Sequence, residues 1–304
     1  MSNGLRKTVV TDTIVVTGAL GGSGSWIVDA LRADHDVVAV DLTLPESTDV
    51  DGVSFQALDL TDQGAVWETV LDADPSAVVH FGNIPHEENN PGGDVYENNA
   101  LSTFHALEAA GRAGADVVWA SSETVYGTHW PEPTLPEYLP VDEEHPVEPW
   151  NGYEMSKLAG EAAAERVTNR FGVSVASIRP SWIQYPGRYA ITPFREDFDL
   201  ESADRFGNLW SYIDIRDVVS LVEAALDADF EDHEVFNAFG PDNFLGVDTA
   251  TAIEAGYGDL PSECDLSGEE SAYSTEKAAK LLGWEPEHSW KTAEDEEIAG
   301  PSFV

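Results

Sequence analysis

Short apolar runs alternate with amphipathic stretches along most of the chain. "TIVVTG" (13–18), "DVVAVD" (36–41), "GVSFQALDL" (52–60), "SAVVHFG" (76–82), "ADVVWASS" (115–122) and "VSVASIRP" (173–180) are rich in Val, Ala and Ile. They read as strands. Between them, "SWIVDALRA", "GAVWETVLDA", "ALSTFHALEAAGRA" and "YEMSKLAGEAAAERVTNRF" read as helices with one apolar face. Continuous apolar strands suit a sheet covered on both faces, and the intervening helices supply crossovers. The pattern predicts an α/β fold, a doubly wound parallel sheet of the Rossmann type.

After Pro180 the rhythm breaks. "PGRYAITPFREDFDLESADRFGN" carries Pro, Gly and aromatic residues with no clean period, the texture of a loop-rich substrate lobe. Regular patterning returns in "WSYIDIRDVVSLVEAAL", a strand-like "EVFNAFG" and a helical "STEKAAKLLG". The expected division is a dinucleotide-binding domain over 1–180, rejoined by 211–240. A small C-terminal lobe from 181–210 and 241–304 interleaves with it.

With 304 residues, 42% of them hydrophobic, the chain has enough material for a full core. Its 57 acidic residues against 15 Lys and Arg leave a net charge of -42, spread along the whole length. Such a charge describes the surface and its solvent, not the fold. It is typical of halophilic proteins working in molar salt, where the Debye length shrinks to about 3 Å and self-repulsion is screened. Activity is expected to fall at low salt. Without basic clusters to neutralise phosphates, neither nucleic acid nor an anionic membrane is an expected partner. Cys264 is the single cysteine, which excludes an intrachain disulfide and a thiolate cluster. The histidines show no HExxH spacing, so no metal site is expected. No stretch has the length of a membrane span and the N-terminus lacks a signal-peptide layout. The expected location is cytoplasmic.

The first strand runs directly into "TGALGGSGSWI", with Gly18, Gly21 and Gly24 at GxxGxxG spacing. In a strand-to-helix turn, missing Cβ atoms permit a tight bend and close approach of a pyrophosphate to the helix N-terminus. The second strand ends at Asp41, where an acidic side chain can hydrogen-bond ribose hydroxyls and repel a 2′-phosphate. NAD is therefore favoured. NADP stays possible, because molar salt weakens that repulsion and Thr43 suits either cofactor.

Lys157 is isolated: every other lysine lies near an end of the chain, at Lys7, Lys277, Lys280 and Lys291. Tyr153 precedes it by one helical turn, on the same helix face. A phenol has a free pKa of about 10, and a neighbouring ammonium favours its ionised form. The expectation is that Lys157 tunes Tyr153 as a base. Ser121 and Ser122 end the fifth strand, where the carboxyl edge of a parallel sheet meets the cofactor crevice. A hydroxyl there can donate to a substrate oxygen as charge develops.

These pieces, with the "DL" of Asp59 and Leu60, "HFG" at 80–82, "NNALSTFHALEAA", "SSETVYG", "PWNGYEMSK", "IRP", "YIDIRDVV" and "STEKAAKLLGWEP", occur in one order. The chain thereby resembles, over almost its whole length, the extended short-chain dehydrogenase/reductase family of sugar epimerases, dehydratases and sugar dehydrogenases. The resemblance implies a catalytic Ser122, Tyr153 and Lys157, with Tyr153 as general acid/base, Lys157 also on the nicotinamide ribose and Ser122 on the substrate oxygen. It implies cofactor contacts at Gly18, Leu20, Gly21, Gly24, Asp41, Asp59, Leu60, Phe81, Gly82, Asn99, Tyr153, Lys157 and Pro180. It also implies a homodimer through helices at about 95–113 and 153–170, whose alanines allow close packing.

Dehydratases of that family carry adjacent Asp and Glu after the triad hydroxyl residue; Glu123 and Thr124 stand here, one carboxylate short. Pro180 and Trp210 lie roughly 30 positions apart, too short for the basic clamp that nucleotide-sugar enzymes place there. The layout is similar to the family's aldose and uronate dehydrogenases. That likeness implies substrate contacts at Asn83, Ser122, Glu123, Tyr153, Ser181, Arg205 and Trp210, the arginine suited to a carboxylate and the indole to a sugar face. The expected activity is NAD(P)-dependent oxidation of a free pentose, hexose or uronate at C1 to the lactone. The alternatives are a nucleotide-sugar 4-epimerase and a non-catalytic NAD(P)-binding regulator.

Overall fold

A computed structural model describes residues 12–87, 89–128, 133–230 and 232–304; the start of the expected first domain, 1–11, lies outside the described residues. The strands, in chain order, are β1 (Thr13–Thr17), β2 (Asp36–Asp41), β3 (Val53–Ala57), β4 (Ala77–His80), β5 (Asp116–Ala120), β6 (Tyr138–Leu139), β7 (Val175–Pro180), β8 (Ile183–Gln184), β9 (Ile213–Asp214), β10 (His233–Ala238) and β11 (Glu263–Cys264). The helices are α1 (Gly22–Leu31), α2 (Gln63–Ala73), α3 (Gly92–Ala113), α4 (Gly152–Phe171), α5 (Thr192–Glu196), α6 (Ile215–Asp227), α7 (Thr249–Tyr257), α8 (Glu276–Leu282) and α9 (Trp290–Ala293).

The main sheet has seven strands in the order β10-β7-β5-β4-β1-β2-β3, every neighbouring pair parallel. This is the doubly wound Rossmann sheet that the apolar runs predict. Successive side chains alternate faces, and the two faces have separate cores. Ile14 and Val16 pack with Ile27 and Val28 of α1 and Val218 and Leu221 of α6. Val15, between them, packs with Val66 of α2, Leu107 of α3 and Val167 of α4. Helix α3 begins earlier than the apolar pattern at 100–113 shows, because its first turns, "GGDVYENN", are polar and carry no apolar period.

A third core is aromatic: Tyr189, Trp210, Tyr212, Phe239, Phe244, Tyr257 and Tyr273 bury one another in the lobe beyond the strand ends. Leu139 and Val141, which the sequence division puts in the sheet domain, are buried in that lobe, where β6 pairs with β11. Conversely Ala278, Trp284 and Phe303, assigned to the lobe, pack on the sheet with α1 and α6. The interleaving is therefore finer than the division expected, because apolar contacts and not chain position decide which core a segment joins.

Strand order reverses between β1 and β4, and the crevice opens at their carboxyl ends. Gly18 follows β1 with φ +70°, and a Cβ there would lie 2.6 Å from the Gly82 nitrogen in the loop after β4. The two loops meet backbone to backbone, which only glycine at 18 permits.

Candidate active site

The glycine turn is shaped for a dinucleotide. Gly21 N–H donates to the Gly18 carbonyl at 3.0 Å, and a Cβ on Gly24 would collide with that carbonyl and lie 2.8 Å from Gly18 C. Gly21 caps α1 without a side-chain hydrogen bond, so the first N–H groups of that helix face the crevice unclaimed by any side chain. Asp41 Oδ2 accepts from Leu20 N–H at 2.9 Å and Oδ1 from Leu42 N–H at 2.7 Å, tying the turn to the end of β2. Residues with these shapes fit a bound NAD: a cradle without Cβ atoms, a helix N-terminus and a carboxylate one strand away.

The remaining expected cofactor positions surround the cradle unevenly. Leu60 Cδ1 packs 2.5 Å from where a Gly82 Cβ would stand, and Phe81 N–H donates to Thr17 O at 3.1 Å. Asp59 is exposed and spends its carboxylate on Thr61, whose hydroxyl and amide hold its pKa below the usual carboxylate range. Asn99 is buried and clamps the loop after β4 in both directions: its amide donates to Ile84 O at 2.9 Å and its oxygen accepts Ile84 N–H at 2.8 Å. Pro180 closes β7 beside Ala238 of β10. His80 is buried neutral between Thr17 and Thr103 hydroxyls, its pKa pushed down to about 3 first by burial and then by Lys157.

Ser122, Tyr153 and Lys157 come together at the end of β5. Helix α4 starts at Gly152 because Asn151 caps it, its oxygen accepting Glu154 N–H at 2.9 Å, while Glu154 Oε2 accepts Trp150 N–H at 2.5 Å. Glu87, from the loop after β4, accepts Tyr153 N–H at 3.1 Å and so anchors the tyrosine's backbone. The Ser122 side chain lies close enough to the Tyr153 phenol to lower its pKa. Lys157 is buried, donates from Nζ to the Ala120 carbonyl at 2.8 Å, and stands 5.2 Å from the centre of the Tyr153 ring.

The electrostatics differ from the expectation. A lysine one turn away predicts a lowered phenol pKa, yet burial pushes Tyr153 up to about 12, opposed by Ser122 and reinforced by Glu123 and Glu154. Burial also brings Lys157 down to about 7, with no carboxylate beside it to offset the desolvation. Desolvation outweighs attraction here because the amine is aimed at a carbonyl and not at the phenol oxygen.

Behind the site, Glu161 Oε1 accepts from Ser121 Oγ at 2.6 Å and from Arg179 Nε at 2.9 Å, and Oε2 accepts from Arg179 Nη2 at 2.8 Å. Arg179 Nη1 donates to the Tyr126 hydroxyl at 2.9 Å, which donates to Asn237 Oδ1 at 2.7 Å. This buried chain ties β5, α4, β7 and β10 under the site, and the bidentate pair fixes their relative placement.

The expected substrate residues divide. Asn83 lies in the loop after β4, donating to Phe81 O at 3.1 Å. Ser181 lies against the Glu123 carboxyl, which is near enough to Tyr153 to raise the phenol's pKa. Trp210 does not stand open: it is buried in the lobe core against Phe198, stacked Phe206 and Tyr257. Arg205 is exposed, donates to Pro133 O at 3.3 Å and lies over the Tyr257 ring. The lobe's aromatic packing claims both residues. Asn208, which sequence reasoning missed, lies instead against Glu123. So does Tyr185 go unmarked in the sequence, although its hydroxyl sits 3.3 Å from Ser23 Oγ across the glycine turn. Both belong to aperiodic loops, where no pattern announces direction. Among the described residues no group of three or more His, Cys, Asp or Glu is placed to hold a metal, and no helix is long and apolar enough to cross a membrane.

Comparison with known proteins agrees with this geometry. The chain is 34% identical over 177 residues to an L-arabinose 1-dehydrogenase (NAD(P)(+)) of Haloferax volcanii, covering 56% of this chain and 66% of that protein. It is 32% identical over 168 residues to a uronate dehydrogenase of Pseudomonas syringae, covering 55% and 58%. These matches span less than two thirds of either relative's length. A solved UDP-galactose 4-epimerase superposes with a TM-score of 0.65 at 27% identity, covering 93% of this chain and 98% of that one. The sequence matches one family description, NAD dependent epimerase/dehydratase, over residues 14–238. Glycine cradle, parallel sheet and that match together establish that the chain belongs to the NAD dependent epimerase/dehydratase family.

Proposed function

We propose that the protein oxidises a free monosaccharide at C1 to its lactone, using NAD or NADP. The observation that carries this reading is the gathering of Ser122, Tyr153 and Lys157 at the end of β5, beside the crevice that the glycine turn opens. The similarity to sugar 1-dehydrogenases supports it. Oxidised NAD(P), held at the glycine turn, would supply the hydride acceptor. Ser122 would hold the anomeric oxygen by a hydrogen bond, and Tyr153, after releasing its own phenol proton to solvent, would take the anomeric hydroxyl proton on Oη as hydride leaves C1. Lys157, fixed by Ala120, braces the phenol ring and offers its remaining donors to a ribose hydroxyl. Gly18, Leu20, Gly21, Gly24, Asp41, Asp59, Leu60, Phe81, Gly82, Asn99 and Pro180 are proposed to line the cofactor, and Asn83, Ser122, Glu123, Tyr153 and Ser181 the sugar.

The same triad serves an epimerase, and the superposition on UDP-galactose 4-epimerase keeps that as the second reading. We further propose a cytoplasmic homodimer through α3 and α4, on or beside which Tyr96, Leu101, Trp150 and Met155 are exposed. The test is absorbance of reduced cofactor on incubating the protein in molar KCl with NAD or NADP and a panel of pentoses, hexoses and uronates. Stoichiometric lactone and reduced cofactor are expected. Interconversion of a UDP-sugar with no net reduction would replace this reading by the epimerase one.

A further inference from the structure

Three buried oxygens grouped at the Glu123 carboxyl make no hydrogen bond of full geometry within the protein: Glu123 Oε2, Ser181 Oγ and Asn208 Oδ1. Their residues are only 4%, 4% and 2% exposed. Ser181 and Asn208 both approach the Glu123 carboxyl, and Glu123 is close enough to Tyr153 to act on the phenol's ionisation. An unsatisfied buried polar group costs about 1–3 kcal/mol. Three grouped around one carboxyl, with only loose contacts to one another, point to a ligand that completes their hydrogen bonds.

The chemistry of the cluster is uneven. Asn208 Nδ2 donates to the Ser211 carbonyl at 2.8 Å, and the reverse amide orientation would set oxygen against oxygen. Its Oδ1 is therefore committed to accept. Burial pushes Glu123 up to about 8, so near neutral pH it is chiefly the acid, with one donor and one acceptor. The Ser181 hydroxyl does either. Among the described residues the cations nearest in the chain have other contacts: Arg188 is exposed, with its guanidinium over the Tyr185 ring. Arg179 is held by both oxygens of Glu161, Arg195 by both oxygens of Glu294, Arg205 lies on Pro133 O and Tyr257, and Lys157 is on Ala120 O.

We infer that Glu123, Ser181 and Asn208 form a hydroxyl-reading subsite that selects neutral aldoses and rejects uronates. A sugar hydroxyl brings one donor and two acceptor positions, matching a carboxyl, a hydroxyl and an amide oxygen together. A uronate carboxylate brings acceptors only and would meet Asn208 Oδ1, an acceptor, and the Glu123 carboxyl. Burying an unpaired carboxylate is far costlier than burying a hydroxyl. Sites built to pair a hydroxyl reject analogues that cannot pair by large factors.

This inference rests on the dehydrogenase reading, and the experiment separates the two. D-galactose and D-galacturonate differ only at C6. Each is titrated calorimetrically into protein saturated with NADH, and each is assayed with NAD and with NADP in molar KCl. Galactose is expected to bind at least tenfold more tightly and to have a kcat/KM at least tenfold higher. In Glu123→Gln, whose amide adds permanent donors for a carboxylate, the galactose-to-galacturonate ratio is expected to fall by at least threefold, with the thermal midpoint showing that the variant is folded. Cofactor reduction with galacturonate equal to or better than galactose overturns the subsite and leaves the dehydrogenase reading standing. No reduction with any sugar overturns both.

Discussion

The Lys157 side chain reaches the Ala120 carbonyl at 2.8 Å and leaves the Tyr153 ring centre 5.2 Å away, so lysine and tyrosine are neighbours without a hydrogen bond between Nζ and the phenol. In the proposed reaction the lysine's part is then to hold the ring and the end of β5 in place.

Tyr153→Phe removes the proton acceptor and keeps the ring that Lys157 faces. Turnover is expected to fall by about 100-fold or more, the usual yield of a placed general base. NAD affinity, read by fluorescence titration, is expected to stay within about threefold. Turnover near the wild-type level would assign the base elsewhere.

Gly24→Ala places a methyl group against the Gly18 carbonyl, which belongs to the same tight turn and cannot retreat. NAD binding is expected to weaken at least tenfold, with a lower thermal midpoint. Gly93→Ala, at the start of α3, meets nothing within 4 Å and is the control expected to change neither. Equal affinity in both variants would show that the turn does not carry the dinucleotide.

Glu123 has a folded pKa of about 8 against an unfolded value near 4.5. Between those values the native state holds a proton that the unfolded chain has released, so stability falls as pH rises through the window. It is fully present below 4.5 and lost above about 8. Glu123→Gln cannot ionise, and its stability relative to wild type is expected to grow from pH 5 to pH 8 by on the order of a few kcal/mol. Urea midpoints in molar KCl measure this difference, in which the titrations of His80 and Lys157 cancel. A constant difference would mean that the carboxyl is ionised in the native protein throughout.

Trp210→Ala opens a cavity among Phe198, Phe206 and Tyr257, and a loss of about 3–5 kcal/mol is expected for a buried ring of that size. Denaturant unfolding reads it. A raised KM for sugar with unchanged stability would instead return the indole to the substrate site.

The periodic features of the chain were legible without coordinates. Apolar runs interrupted by amphipathic ones specify a covered parallel sheet, because a strand buried on both faces has no polar positions to display. Glycines after β1 and an acidic residue ending β2 announce a dinucleotide crevice, since each answers a local steric or hydrogen-bonding demand. Placing Tyr153 and Lys157 on one helix face needs only the helical period.

Folding in three dimensions decided what those residues experience. Burial raises Tyr153 and lowers Lys157, a reversal invisible in a sequence because desolvation comes from elements far apart in the chain. It also sets Ser181 from the end of β7 and Asn208 from an aperiodic loop against Glu123, and it draws Trp210 into an aromatic core. Local rules predict where a backbone turns or coils; the field at a side chain sums over every neighbour that packing brings near, and no repeat along the sequence encodes that sum.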